Sequence, residues 1–202
     1  MLDPQFTDKA VSRKKFNREI REFRSLSDQY CQRGWFLAYA KYPHVLVALA
    51  TAKTNPVSIM TGVFFDYTNY DAAPPSVRLV HPITGVPYQN SELPTNLPRS
   101  ISEPELQSIP NAALQIQQVQ TQALIQAHGP DGTPFICLPG VREYHEHPAH
   151  DGDHWELHRS SGAGRLVRLL EIISKYGPDT IIGFNVQMIP NIGFRVFDVP
   201  PL

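Results

Sequence analysis

The sequence has few cysteines, few charges and no long apolar run. Its 202 residues include two cysteines, and charged residues make up 18% with a formal net charge of −1. This excludes a disulfide framework and a globally basic nucleic-acid binder. No run approaches the roughly 18 apolar residues of a membrane helix, and the charged N-terminus differs from a signal peptide. We therefore expect one cytoplasmic domain over residues 1–202, with no membrane partner.

Proline is the residue in excess. The 19 prolines are about 9% of the chain against a usual ~5%, and most of them lie in its middle. Residues 84–110 have few periodic apolar positions and predict a proline-rich surface excursion. The composition of residues 111–128 favours a helix, although a strand containing Leu114 and Ile116 fits the weak apolar face as well.

Apolar spacing predicts the regular elements around this middle, which together indicate an α+β fold. Across residues 8–30, apolar side chains repeat every three or four positions, as on one helix face. Runs rich in β-branched and aromatic residues then predict a four-stranded antiparallel meander. The predicted strands are 35–42, 45–52, 57–67 and about 76–81, followed later by a helix at 164–176 and a C-terminal β-hairpin at 181–199.

The outer face of the first helix has a cluster of cations. Only two acidic residues, Glu19 and Glu22, accompany them. Such a face is most often simply solvated, and the alternative is a surface that binds a partner. The cations are Lys9, Arg13, Lys14, Lys15, Arg18, Arg21 and Arg24.

Five of the eight histidines lie within fourteen residues, inside a polar stretch at 139–158 that we expect to be a loop. Imidazole nitrogens and a thiolate are usual zinc ligands, and Cys137 lies just upstream. One interpretation is therefore a mixed zinc site. The other is a polar loop whose histidines form hydrogen bonds, cap helices or transfer protons. The predicted zinc ligands are Cys137, Glu143, His145 and His150.

Named catalytic motifs give no support for nucleotide binding or hydrolysis. The sequence contains no phosphate loop, GxGxxG or GxSxG. His145 and His147 begin like the histidine pair of JAB-type metalloisopeptidases, but Trp155 and His158 stand where a serine and an aspartate are expected. Ala149 likewise occupies the aspartate position of the metallo-β-lactamase pattern.

Cys137 lies in a short apolar run, where a lone cysteine is usually a small buried side chain. The order of the surrounding elements indicates a different role. A basic helix, a meander, a Pro-Pro segment, a His-Pro pair, an Ile-Cys-Leu-Pro segment, a tryptophan and a helix follow one another. This order resembles the ubiquitin-conjugating E2 enzymes over about residues 9–176. The matching segments are 71–79 for the start of the last strand, His81-Pro82 for the HPN region, 135–138 for the active-site segment, and Trp155.

The resemblance implies an E2-type transferase. Cys137 would receive a ubiquitin-like protein from an E1-like enzyme as a thioester and pass it to an amine, with the basic helix docking the E1. A nearby base must lower the pKa of the thiol or accept the amine proton, and we expect His145 or His147 to do so. The sequence departs from the family at the HPN region, where no asparagine follows His81-Pro82. More than fifty residues also separate that pair from Cys137.

The His-rich stretch further resembles a predicted metal-binding family with a Cys-Glu-His-His signature, found with bacterial ubiquitin-like conjugation operons. In that resemblance the signature is Cys137, Glu143 and two of His145, His147 and His150. It implies a bacterial pathway, such as one in antiphage defence.

The competing function is a zinc-stabilised E2-like adaptor without transfer activity, because a zinc-bound thiolate cannot form a thioester. Nucleic-acid binding is disfavoured, since no aromatic platform accompanies the cations. Cys31 is expected to pack in the interior.

Overall fold

The structure is a computed structural model that describes residues 4–55, 57–100, 121–127 and 133–181. Most of the C-terminal hairpin predicted at 181–199 lies outside these residues. Residues 101–120 also lie outside them, which covers the end of the proline-rich excursion and the first part of the segment predicted at 111–128.

The chain begins with two helices, α1 (Lys9–Ser25) and α2 (Ser27–Gln32). The sequence predicts one helix across 8–30, but the backbone leaves helical geometry at Leu26. In a continuous helix Phe23 and Tyr30 would be roughly 10 Å apart along the axis. The break brings their ring centroids to 4.8 Å, so packing of the two rings accompanies the interruption.

A four-stranded antiparallel sheet follows in the order β1-β2-β3-β4, which confirms the predicted meander. One alternate set of side chains in these strands lies in the main apolar core, as period-2 patterning requires; it includes Val45, Val47, Val63, Phe65 and Val77. The strands are β1 (Trp35–Lys41), β2 (His44–Thr51), β3 (Ser58–Asp66) and β4 (Ser76–Val80).

The last long helix of the described chain covers the inner face of this sheet and confirms the helix predicted near 164–176. It runs over Leu166–Tyr176, and its inward residues Leu166, Leu169, Leu170 and Ile173 are fully buried. A buried hydrogen bond from Trp35 Nε1 to Ser174 Oγ (3.1 Å) fixes its position on the sheet. The fold is therefore mixed α+β, with an N-terminal helix, a four-stranded sheet and this later helix around one core.

The described part of the proline-rich middle forms short paired strands. Pro98–Ser100 (β5) pairs with Thr121–Ala123 (β6), and Ile125–Gln126 (β7) pairs with Phe135–Ile136 (β8). The helix predicted for 111–128 is thus wrong over residues 121–127. Leu124 is buried, and its N–H donates to Leu97 O (3.1 Å), so tertiary pairing overrides local helix propensity.

Two predictions about single residues of the N-terminal helices are also wrong. Glu19 does not lie on the outer face of α1, because its side chain is buried with 1% of the residue exposed. Cys31 does not pack in the interior but is exposed. Its neighbour Tyr30 takes the inward position on α2 and stacks on Trp35.

The His-rich stretch at 139–158 is not an irregular loop. It contains α3 (Arg142–Glu146), a 3-10 turn at Pro148–His150 and α4 (Trp155–Arg159); the long helix Leu166–Tyr176 is therefore α5. Within the described ranges, no helix has the length and apolar character needed to cross a bilayer.

Candidate functional site

Cys137 directly follows the short strand β8. Ile136 is buried in the core, and the Cys137 N–H donates to Leu124 O (2.7 Å), which extends the pairing of β7 and β8 by one residue. The Cys137 side chain is only partly buried. The strand pair therefore fixes the backbone of Cys137, while the residue keeps part of its solvent exposure.

The turn after Cys137 is held against the sheet by close backbone contacts. A Cβ at Gly140 would lie 2.1 Å from Ala163 O, so only glycine fits there. The Arg142 N–H then donates to Pro75 O (2.9 Å), and its buried guanidinium donates to Thr68 O (2.6 Å). These contacts anchor α3 to the connection between β3 and β4.

Cys137 and His150 form a thiol–imidazole pair. Cys137 Sγ lies 3.3 Å from His150 Nε2, within hydrogen-bonding distance for sulfur. Burial raises the pKa of the Cys137 thiol, and only the charge of Arg99 acts in the other direction. Burial also lowers the pKa of His150, as does nearby His147. Both shifts favour a neutral thiol facing a neutral imidazole at neutral pH, so His150 is placed to accept the thiol proton.

A second polar group surrounds Tyr144, whose ring stacks on His150 with centroids 3.8 Å apart. The Tyr144 hydroxyl donates to Asp153 Oδ2 (2.5 Å), and His158 Nε2 lies 2.6 Å from Asp153 Oδ1. These two hydrogen bonds lower the pKa of Asp153. Burial and the Asp153 carboxylate raise the pKa of Tyr144, so the tyrosine stays protonated and donates.

His145, a predicted catalytic base and zinc ligand, has both ring nitrogens next to backbone carbonyls. Nδ1 lies 2.8 Å from Asp153 O and Nε2 lies 2.7 Å from Pro139 O. His145 can turn a ring nitrogen towards the thiol or a metal only by giving up one of these two contacts. The structure therefore places His145 as a brace between the turn after Cys137 and the start of α4.

His147, the other predicted base, lies beside His150. Its ring stacks on Phe135 with centroids 5.2 Å apart, and its centroid is 5.6 Å from that of His150. Its Nδ1 accepts from Ala149 N–H (3.2 Å) and caps the 3-10 turn. The contact that the structure describes between this turn and Cys137 Sγ is made by His150.

Glu143, a predicted zinc ligand, faces β4. Its carboxylate accepts hydrogen bonds from the Ser76 hydroxyl and from Val77 N–H (3.4 Å), and it lies 3.6 Å from Arg78 Nε. The predicted zinc set is therefore brought together only in part, at Cys137 and His150. Among the residues that the structure describes, no three His, Cys, Asp or Glu side chains form a group able to hold a metal.

No sequence pattern indicates a role for Tyr144 or Asp153, and His150 is predicted either as a zinc ligand or as one of the histidines of a polar loop. Tyr144 looks in the sequence like any half-buried aromatic residue. Asp153 and His158 lie five residues apart with a helix start between them, so no simple helical spacing indicates that they meet. The density of polar residues at 139–158 was the only signal that a network would form there.

Comparison with known proteins places the chain in a family. A protein of Sinorhizobium fredii (strain NBRC 101917 / NGR234), named "Uncharacterized protein y4jH", is 42% identical over 181 residues, which cover 88% of this chain and 87% of the relative. The sequence model of the Y4jH-like family matches residues 7–181, a span that includes α1, the sheet, Cys137 and the His-rich stretch. The chain therefore belongs to the Y4jH-like family.

Proposed function

We propose that this protein is an E2-like carrier that holds a ubiquitin-like protein as a thioester on Cys137. The observation that supports this most directly is the contact of 3.3 Å between the Cys137 thiol and His150 Nε2. A thiol beside a base is the arrangement used for nucleophilic attack on acyl groups. The helix, four-stranded sheet and later helix occur in the order that the E2 resemblance implies.

In this proposal the reaction has two acyl transfers. Cys137 Sγ attacks the thioester carbonyl that joins the modifier to the E1-like enzyme, and His150 Nε2 takes the thiol proton. The E1 thiol leaves and is protonated, so the modifier is now bonded to Cys137. An acceptor amine then attacks this second thioester and loses a proton to the base, and the Cys137 thiol is regenerated as the amide forms.

The proposed docking surface for the E1-like enzyme is the exposed face of α1. Lys9, Arg13, Lys14 and Arg21 line one shallow depression there. Lys15 instead pairs with Asp71 and Arg18 with Glu19, so these two cations bind within the protein. A cationic face of this kind attracts an acidic partner surface and speeds its association. The cytoplasmic location and the conjugation pathway belong to the same proposal.

Zinc binding is the second candidate, and the same pair of residues supports it. A sulfur and a nitrogen bound to one tetrahedral zinc lie roughly 3.5 Å apart. The Cys137–His150 separation of 3.3 Å is close to this value. Completing the predicted set, however, would require Glu143 to leave Ser76 and His145 to leave its carbonyls. Carriage of a thioester needs none of these rearrangements, and we therefore favour it.

Mass spectrometry distinguishes the carrier function from zinc binding. The protein used is the Cys31→Ser variant, in which Cys137 is the one remaining cysteine. We would incubate it with ATP, an E1-like enzyme and a ubiquitin-like protein of a bacterial conjugation pathway, after measuring its zinc content. We expect an adduct that dithiothreitol releases, lost in Cys137→Ser and slowed in His150→Ala. The adaptor function would instead be established by two observations together. The protein would contain one zinc per chain, and iodoacetamide would modify Cys137 only after a chelator removes the zinc. A reactive, zinc-free thiol that forms no adduct would contradict the carrier proposal.

A further inference from the structure

Tyr144 lies between the Cys137–His150 pair and the Asp153–His158 pair. Its ring plane is tilted 22° from that of His150 with centroids 3.8 Å apart, which is a close stacking contact. Its hydroxyl reaches Asp153 at the other end. One side chain thus contacts the imidazole that faces the thiol and, at the same time, a fixed anion.

Asp153, which accepts the hydrogen bond from the Tyr144 hydroxyl, makes three contacts through its oxygen atoms. Asp153 Oδ2 accepts from Tyr144, Asp153 Oδ1 lies 2.6 Å from His158 Nε2, and the Asp153 carbonyl oxygen lies 2.8 Å from His145 Nδ1. Asp153 therefore has little freedom to move relative to α3 and α4. A tyrosine bonded to such a group has a fixed ring position as well.

His150 needs an external support because it lies in a 3-10 turn of only three residues, Pro148–His150. Torsion about the bond to an imidazole ring is broad, so the ring samples many orientations unless a neighbour restricts it. Among those orientations only some point Nε2 at Cys137 Sγ. A ring stacked on one face of the imidazole excludes the orientations that would turn the imidazole out of this plane.

We infer that Tyr144 is a positioning residue that holds His150 in the orientation in which Nε2 faces Cys137, and that Asp153 and His158 fix Tyr144. This inference rests on the proposed role of the Cys137–His150 pair. Tyr144 touches neither the modifier nor the reacting carbonyl in this scheme. It acts only by raising the fraction of molecules in which the base faces the thiol.

The test is the rate at which iodoacetamide alkylates Cys137 in the Cys31→Ser protein, with no modifier or E1 present. We expect His150→Ala to slow alkylation about 100-fold, the lower end of general-base effects. Tyr144→Leu removes the stacking ring and should slow it nearly as much. Tyr144→Phe keeps the ring but loses its bond to Asp153, so it should slow alkylation to a smaller extent than Tyr144→Leu. Tyr39→Leu, at an exposed tyrosine of β1, is the matched control and should leave the rate unchanged.

A double-mutant cycle distinguishes positioning from general damage to the fold. If Tyr144 acts through His150, Tyr144→Leu has no further effect in the His150→Ala background. The inference would be overturned if Tyr144→Leu slowed alkylation further in the His150→Ala background. It would also be overturned if Tyr144→Leu alone left the alkylation rate unchanged. If His150→Ala itself leaves the rate unchanged, the dyad of the proposed function fails instead.

An independent measurement covers the case in which Tyr144→Leu does not fold. In proton NMR spectra, the stacked ring should shift the ring protons of His150 upfield in the Cys31→Ser protein, and less strongly in Tyr144→Phe, whose ring is not bonded to Asp153. His150→Ala identifies the resonances by their loss. Unshifted His150 ring protons in the Cys31→Ser protein would show that the stack does not persist in solution, and this would also overturn the inference.

Discussion

The chemistry of Cys137 depends on how its side chain is protonated. Burial raises the pKa of the thiol and lowers that of His150, so the pair is neutral at neutral pH and differs from a thiolate–imidazolium ion pair. A neutral thiol reacts only as it loses its proton. The orientation of His150 therefore matters more than its charge, and it depends on the residues around the pair.

Arg142 shows how a residue remote from the thiol holds the site together. Its buried guanidinium donates to the carbonyl oxygens of Thr68 (2.6 Å) and Pro74 (3.2 Å). Arg142→Met would leave these carbonyls without their charged donor, and we expect the free energy of unfolding to fall by about 3 kcal/mol. Urea denaturation followed by circular dichroism measures this. Arg168→Met, at an exposed arginine, should change it by less than about 0.5 kcal/mol; equal losses in both variants would refute the explanation.

Among the elements, α1, α4 and the connection between β3 and β4 meet at Asp71. Its carboxylate pairs with Lys15 of α1 and with Arg159 of α4 (3.0 Å), and its carbonyl oxygen accepts from Trp155 Nε1 (2.9 Å). One aspartate therefore ties the His-rich stretch to the N-terminal helix. The position of α4, and with it that of Asp153 beside Tyr144, depends on this junction.

This junction makes part of the stability dependent on pH. Burial alone raises the pKa of Asp71, but the hydrogen bonds and charges of Lys15 and Arg159 outweigh it and lower the pKa below its ordinary value. A lowered pKa means that the stabilisation is present above the pKa of the unfolded chain, about 4, and is lost as the pH falls through the folded value. We expect Asp71→Asn to lower the urea midpoint at pH 6.5 and to have a smaller effect at pH 3.

The control for this prediction is Asp151→Asn, at an exposed aspartate of the same His-rich stretch. Its effect on the urea midpoint should be small at both values of pH. A loss in Asp71→Asn that is equally large at pH 6.5 and pH 3 would show that the carboxylate charge is not what stabilises the junction.

For the molecule as a whole, the described residues share one apolar core. The same buried cluster includes residues from α1, the sheet and α5, together with Ile136 next to Cys137 and Val141 next to α3. The candidate site is thus built directly on the core of the fold. We expect the site and the sheet to unfold together.

Two single-tryptophan variants test this cooperativity. Trp35 is buried between the sheet and the helices, whereas Trp155 lies in α4 of the His-rich stretch. In Trp155→Phe the remaining Trp35 reports on the core. In Trp35→Phe the remaining Trp155 reports on the His-rich stretch. Within each variant we expect fluorescence and circular dichroism to give the same urea midpoint, as a two-state transition requires. An earlier fluorescence transition of Trp155 alone would show that the stretch unfolds independently.

The sequence by itself determined the elements whose pattern is local. The helix face from Phe16 to Phe23, the alternation in the four strands and the stripe from Leu166 to Ile173 each follow from a period of 3.6 or 2 residues within one segment. The sequence also identified Cys137 and the His-rich stretch as candidates, because unusual residue types and their order are visible without coordinates.

Only the tertiary structure decided which of those candidates meet. Packing of Gly140 on Ala163 and of Arg142 on the β3–β4 connection sets the path of the backbone after Cys137. That path brings His150 to the thiol and directs Glu143 towards Ser76. The physical reason is that such contacts join residues 13 to 74 positions apart, and their geometry depends on the close packing of a core that no local pattern encodes.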